Sequence, residues 1–239
     1  MLINSEAIIL NHIRFSERDL IVKVLTKKRG LISFLVKGGQ KKKKNYLQQL
    51  MIVNISFNFK LNKNLHYIKN IELKSVPNKI LISHLKRNTV LFLCEIISRI
   101  LKEGSDEERL YEYIEKSISY LNSDLCSGKF FDIWFLLNLT KFLGVAPEFT
   151  SFEKNSNSVF CPETGVFTLF ANHEKNIAWN KEQSLLLYNF LRANIEEIEN
   201  FSLSYNEYKR LIENILHFYS LHVSSFNYKK LVAVYTELL

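Results

Sequence analysis

The apolar residues of this 239-residue chain change their period once, and that change limits the folds open to it. Val53, Ile55, Phe57 and Phe59 alternate with Asn54, Ser56 and Asn58, the two-residue period of a strand with one buried face. Ahead of them Ala7–Ile13, Leu20–Thr26 and Leu31–Val36 are short β-branched and aromatic runs, parted by the polar turns Arg14–Asp19 and Lys27–Gly30. A further run, Leu65–Leu73, follows an LNKN turn. Five short strands in about 75 residues leave no room for crossover helices and predict a small closed barrel of the OB-fold type, in which closure removes exposed edges.

From Pro77 onward the spacing becomes three and four. Leu81, Leu85, Leu91, Leu93, Ile96, Ile97, Ile100 and Leu101 predict one amphipathic helix over Ile80–Leu101. Ser105 opens SDEE, an N-cap signature with acids in the first turn, for a second helix ending near Leu121. A third, starting near Gly128, is apolar almost all round and belongs at the centre of a bundle; Gly144 and Pro147 stop it. Thr150–Asn176 is turn-rich and reads as an irregular hairpin with a short strand on each side of Glu163–Gly165. Helices over Lys181–Ala193 and Tyr205–His222 follow, and the apolar tail after Val223 packs. The expected architecture is α+β and multi-domain. An OB-fold β-barrel spans residues 1–78 and a helical domain spans 79–239, with the hairpin insert at 148–178.

An apolar content of 47% with 13% aromatics excludes a disordered chain. Cys94, Cys126 and Cys161 form no CxxC pair or disulfide framework, which suits a reducing cytoplasm. No secretory signal is read at the N-terminus, and no apolar stretch reaches the ~18 residues of a membrane span, so a soluble protein is expected.

Charge is divided unevenly. Residues 1–80 carry 16 Lys and Arg against Glu6, Glu17, Asp19 and Glu72, a net of +12, whereas residues 81–239 carry a net of −4. A compact polycation attracts polyanions, because each neutralised phosphate releases condensed counterions. Nucleic acid is favoured over membrane, since no basic amphipathic helix accompanies the charge. The expected phosphate contacts are Arg14, Arg18, Lys27, Lys28, Arg29, Lys37, Lys41, Lys42, Lys43 and Lys44, with Lys23 in the same basic set. Single-strand binders pair such cations with rings on which bases stack. Phe15, Phe34 and Tyr46 are the candidate platforms, Tyr46 foremost, whereas Phe57 and Phe59 read as barrel core.

Catalytic constellations are missing. Ser127–Lys129 lacks the upstream glycine of a phosphate-binding loop, and GxSxG, HExxH and GxGxxG do not occur. His217 and His222 are off the spacing that would place two ligands on one helical face, and all six histidines read as structural. No enzyme, cofactor or metal is expected.

The order of motifs resembles the RecO family. The opening SEAIIL…IRFSERDLIVKVLTKKRGLISFLVKGGQKKK has a Glu-x-Asp turn (Glu17, Asp19), a strand ending in Thr26, a basic turn with Gly30, and Lys37–Gly38 before a basic loop. The central FFDIWFLLNLTKFLGVAPEF is similar to the family's long aromatic helix ending in Gly-x-x-Pro, here Gly144 and Pro147, and FYSLHVSSFNYKKLVAVYTEL to its closing segment. The resemblance implies an OB-fold, a helical domain, and a small insert that in many members binds zinc through four cysteines. Only Cys161 is present in that insert, so no zinc is expected and the hairpin stands in for the metal-stapled lobe. It also implies binding of single- and double-stranded DNA, strand annealing, and work in the cytoplasm at the nucleoid. RecR and single-strand-binding protein are the implied partners in loading the RecA recombinase, with the acidic tail of single-strand-binding protein docking on the helical domain. Two other readings use the same features: a general RNA-binding OB-fold protein, and a scaffold whose barrel binds an acidic protein.

Overall fold

The computed structural model describes all residues except 40–43, 104–107, 155–156, 170–178, 225, 230, 232, 234 and 236–239. Two compact units divide the chain, Met1–Asp124 and Leu125–Leu239.

The first unit is built on five strands, β1 (Leu2–Arg14), β2 (Leu20–Thr26), β3 (Gly30–Val36), β4 (Ile52–Asn58) and β5 (His66–Ser75). They close into a barrel in the order β1-β2-β3-β5-β4. The first strand is 13 residues long, not short as its apolar run suggested. Its first half, Leu2–Ile8, pairs with β4 and its second half with β2, and an irregularity between Ile9 and Asn11 re-aims the chain. A bulge of this kind bends a strand and raises its twist, which lets one strand serve both sides of a closure. Inside, Ile3, Ala7, Ile9, Val22, Val24, Ile32, Phe34, Val53, Ile55 and Phe57 form the core expected from the alternation.

After the barrel, the described residues of the unit form α1 (Asn78–Ile82), α2 (His84–Ile100) and α3 (Glu108–Leu121). The single helix expected over Ile80–Leu101 is broken because the Ser83 hydroxyl accepts from the Lys86 backbone N–H and caps a new helix start. Ser105, the expected cap of the next helix, lies outside the described residues. The period change at Pro77 therefore marks where strand gives way to helix, while the compact units part at Asp124.

The second unit holds α4 (Phe131–Phe142), α5 (Thr150–Lys154), a hairpin of β6 (Ser158–Cys161) and β7 (Val166–Leu169), α6 (Lys181–Arg192) and α7 (Tyr205–His222). The central helix is buried on nearly every side, and Ile133, Leu136 and Leu139 are fully enclosed. It begins at Phe131 because Phe130 adopts a left-handed conformation. Gly144, at φ 70°, ends it, with Val145 N–H donating to Thr140 O and Gly144 N–H to Lys141 O, a Schellman closure. Helices α6 and α7 start with capping boxes, Asn180–Gln183 and Ser204–Glu207.

Candidate nucleic-acid interface

OB-fold barrels bind oligonucleotides on the face of strands 2 and 3 and on the loops beside it. In this protein the outer face of β1–β2–β3 is covered. Asn11, Lys23 and Ser33 lie in register across it. Asn11 Nδ2 donates to Glu95 Oε2 (3.2 Å), Lys23 Nζ to the Ser98 carbonyl (3.3 Å), and Ser33 Oγ to Glu103. The neighbouring row Ile8–Leu25–Leu31 is buried although it faces away from the barrel core. Lys23, one of the basic set, is thus occupied with α2.

The open surface is made by loops that motif residues hold in place. Between β1 and β2, the Ser16 hydroxyl accepts from the Arg18 and Asp19 backbones. Asp19 Oδ1 accepts the Gly38 N–H at 2.9 Å, which fixes this hairpin tip against the exit of β3. Gly38 needs its φ of +65°, whereas at Gly39 a Cβ would come within 3.3 Å of Leu20 and Val36. Between β2 and β3, Thr26 Oγ1 donates to Gly30 O (3.0 Å) and accepts from Arg29 N (3.1 Å), and Gly30 supplies φ 58°. Glu17, Asp19, Thr26, Gly30, Lys37 and Gly38 are therefore parts of the loops and of the fasteners that present the cations.

Five of the basic residues are exposed or half-exposed on the barrel loops and beside the β3–β5 seam. Arg14 and Arg18 stand exposed on the β1–β2 hairpin, whose tip carries Phe15 at 59% exposure. The Asp19–Gly38 bond places this hairpin beside Lys37. Strand β3 meets β5 at Phe34–His66 and Leu35–Tyr67, a parallel seam of two residue pairs. Tyr67 emerges there, 51% exposed, with Lys37 Nζ 5.6 Å from its ring centroid. Its neighbour His66 turns inward and stacks on Phe59 at 5.1 Å with an interplanar angle of 2°. Arg29 lies 5.3 Å over the other member of that stack, Phe59. Two groups result: Arg14, Arg18 and Lys37 beside the outward Tyr67, and Arg29 over Phe59, which stacks on the inward His66, with Lys28 exposed next to Arg29.

Lys27 turns elsewhere. Its ammonium bridges Glu112 (3.2 Å) and Glu108 (3.5 Å), and the hydrogen bond to Glu112 raises its pKa first of all, helped by both carboxylate charges. Lys41, Lys42 and Lys43 lie outside the described residues; Lys44 opens a 3-10 turn that ends at Leu47. Tyr46 in that turn is 37% exposed while Leu47 enters the barrel core. Phe34 corrects an expectation: it is wholly buried and packs edge-on to Phe57 at 5.0 Å, so no base can reach it. Phe57 is core, but Phe59 is only half-buried, and it and Tyr67 are the rings that the sequence reading missed. The available signal was alternation in β5, with His66 inside and Tyr67 outside.

The outer face of β1–β4–β5 differs in kind. Asn4–Ser56–Asn70 and Glu6–Asn54–Glu72 cross it as two polar rows in register, lining an open groove of about 610 Å³. Lys27 and Lys28 line the same groove, so its carboxylates and amides border the basic β2–β3 loop.

The hairpin does not fit a zinc site. Cys161 is buried and the other two cysteines lie at Cys94 and Cys126. Among the described residues no group of three or more His, Cys, Asp or Glu could hold a metal. Rings hold the lobe instead. Phe160 contacts Phe167 (5.2 Å), Trp179 (5.1 Å) and Phe218 (5.7 Å), while Phe152 contacts Phe167 (5.1 Å) and Tyr188 (4.5 Å). His222 Nε2 closes the lobe by a hydrogen bond to Pro162 O at 2.8 Å.

Among the described residues no helix is long and apolar enough to cross a membrane. A closed five-stranded barrel of OB-type strand order, followed by a helical unit, defines an OB-fold protein. Residues 1–76 match the family described as Recombination protein O N terminal, and residues 85–231 match Recombination protein O C terminal. The chain is 28% identical to the DNA repair protein RecO of Azobacteroides pseudotrichonymphae genomovar. CFP2, with 98% of each chain covered. It is likewise 28% identical to that of Christiangramia forsetii, covering 100% of this chain and 99% of the relative. With the corresponding protein of Bacteroides fragilis it shares 26% identity over 100% and 99% of the two chains. This chain belongs to the RecO family of DNA repair proteins.

Proposed function

We propose that the protein binds single-stranded DNA along the seam of its barrel and anneals complementary strands in recombinational repair, with no chemical step of its own. The observation that carries this reading is the group of Arg14, Arg18 and Lys37, brought together by the Asp19–Gly38 hydrogen bond beside the exposed rings of Phe15 and Tyr67, with Arg29 over the half-buried Phe59 on the next loop. Cations on a fixed path can neutralise a phosphate backbone without reading its sequence. Lowering the charge of two strands in turn reduces their repulsion, which favours pairing without hydrolysis. In this reading the protein also engages duplex DNA and works in the cytoplasm at the nucleoid. There RecR and the acidic tail of single-strand-binding protein are its partners in loading RecA. Their names come from the family resemblance.

The test is fluorescence anisotropy of a labelled oligonucleotide over a salt series, comparing the natural chain with R14A/R18A/K37A. Affinity falls roughly tenfold and the salt slope flattens by about 0.7 for each lost contact with a single strand. Unchanged affinity and slope would remove the seam from the DNA path. Four alanines at Lys41–Lys44 test the adjoining basic loop in the same way. A matched RNA competitor that binds as tightly as DNA would favour a general RNA-binding role.

A further inference from the structure

We propose that Tyr67 is a base-stacking platform and that it, rather than the cations, makes the barrel prefer single strands to duplex. The inference rests on the DNA-binding reading above and deepens it. Tyr67 is an aromatic ring standing out from a sheet that otherwise turns its rings inward. Phe34, Phe57 and His66 are all buried beneath it. Its strand neighbours fix its direction: His66 is held inside by the stack on Phe59 and by Nε2 contacts with the Lys60 backbone at 3.2–3.3 Å. With His66 inward, alternation forces Tyr67 outward. Lys37 Nζ sits 5.6 Å from the ring centroid, so an ammonium and a π-face are offered together.

A single-stranded nucleotide has two parts that match this pair, an unpaired base for the ring and a phosphate for the lysine. Duplex DNA offers only the phosphate, because its bases are already stacked on one another. Cations alone therefore bind both forms, and the ring adds affinity to one of them. Stacking on an aromatic side chain contributes ~1–3 kcal/mol per base, which is about fivefold to a hundredfold in affinity. Phe59 could extend the platform by a second base, but it is half-buried on His66, so its removal would disturb the loop that follows β4. Tyr67, being exposed, can be changed without opening the core.

The experiment uses the full chain with three probes, each over a salt series: a single-stranded oligonucleotide, its duplex, and an abasic strand of the same length. Tyr67→Ala is expected to weaken binding of the intact single strand about tenfold while duplex and abasic affinities stay within about twofold and the salt slope is unchanged. Tyr67→Phe keeps the ring and restores single-strand binding. Three results would overturn the proposal: unchanged single-strand affinity in Tyr67→Ala, an equal loss on duplex and abasic strands, or no rescue by Tyr67→Phe. A natural chain that binds none of the probes would instead sink the DNA-binding reading, so the two failures are told apart.

Discussion

The loops of the barrel and the hairpin of the second unit both hold irregular chain still, and they do so with opposite chemistry. The β1–β2 and β2–β3 loops are each pinned by one or two hydrogen bonds to a short side chain, Asp19 or Thr26, with a glycine nearby that supplies a left-handed turn. The hairpin is pinned by rings: Phe152, Phe160, Phe167, Trp179 and Phe218 meet at centroid distances of 5.1–5.7 Å along its faces. A loop that presents cations to solvent has no apolar area to bury, so only directional bonds can order it. A lobe rich in rings has ample area, and their packing orders it.

The largest effect should follow from breaking the ring cluster. Phe160→Ala removes a side chain that is 1% exposed and touches three other rings. A cost of about 3–5 kcal/mol is expected. It is read from urea unfolding followed by fluorescence, in which Trp179 reports the lobe directly. A change below about 1 kcal/mol would mean that packing does not hold the hairpin, and the contrast with the barrel would fail.

A smaller, pH-dependent effect sharpens the comparison, because the second unit has polar fasteners of its own, Asp132 among them. Asp132 is buried on α4 and accepts from the Tyr208 hydroxyl, from the Tyr235 hydroxyl (2.7 Å) and from Ile133 N–H (2.9 Å). Burial raises its pKa above the usual carboxylate value, and the hydrogen bonds from Tyr208 and Tyr235 oppose that shift. A carboxyl with a raised folded pKa keeps its proton longer in the native state than in the unfolded chain. Stability therefore declines as pH rises from the ordinary carboxylate range through the folded value, with a slope of at most ~1.4 kcal/mol per pH unit. Asp132→Asn has no proton to lose, so its stability relative to the natural chain should improve over that window. Parallel unfolding curves for the two proteins at every pH would show that Asp132 titrates normally.

How much of this could be read from residues alone follows the same division. The barrel was legible because alternation is a local pattern: Val53, Ile55 and Phe57 declare their face within seven residues. Its closure by a long, bulged β1 was not, since pairing with both β2 and β4 is a long-range property. Helix α7 was legible over Tyr205–His222 because Tyr208, Leu211, Ile212, Ile215, Leu216 and Tyr219 recur on one face, while the Ser204–Glu207 capping box that starts it went unread. The break at Ser83 was hidden because a serine inside an apolar pattern caps a helix only when the chain bends there. In the site, charge was legible as an inventory but not as a direction. Lys23 and Lys27 look like Lys37 in sequence, yet α2 engages Lys23 and Glu108 and Glu112 engage Lys27. Tyr67 escaped notice because a ring on a half-buried strand reads as core until its inward neighbour is known.

The smallest change in stability, and the most discriminating one for the barrel, is at Asp19. Its carboxylate holds Gly38 N–H, and it also places a negative charge among Arg14, Arg18 and Lys37. If bulk charge governed DNA binding, removing that carboxylate would tighten it, whatever replaced it. If the hydrogen bond governs, by keeping the β1–β2 hairpin aligned with the exit of β3, the outcome depends on the replacement. Asp19→Ala should cost about 1 kcal/mol in unfolding and weaken single-strand binding severalfold despite the gain in positive charge. Asp19→Asn retains an acceptor for Gly38 and should bind as well as the natural chain or better. Tighter binding by both variants would show that the seam acts as an unstructured polycation, and the difference drawn between directional bonds in the barrel and packing in the hairpin would lose its functional meaning.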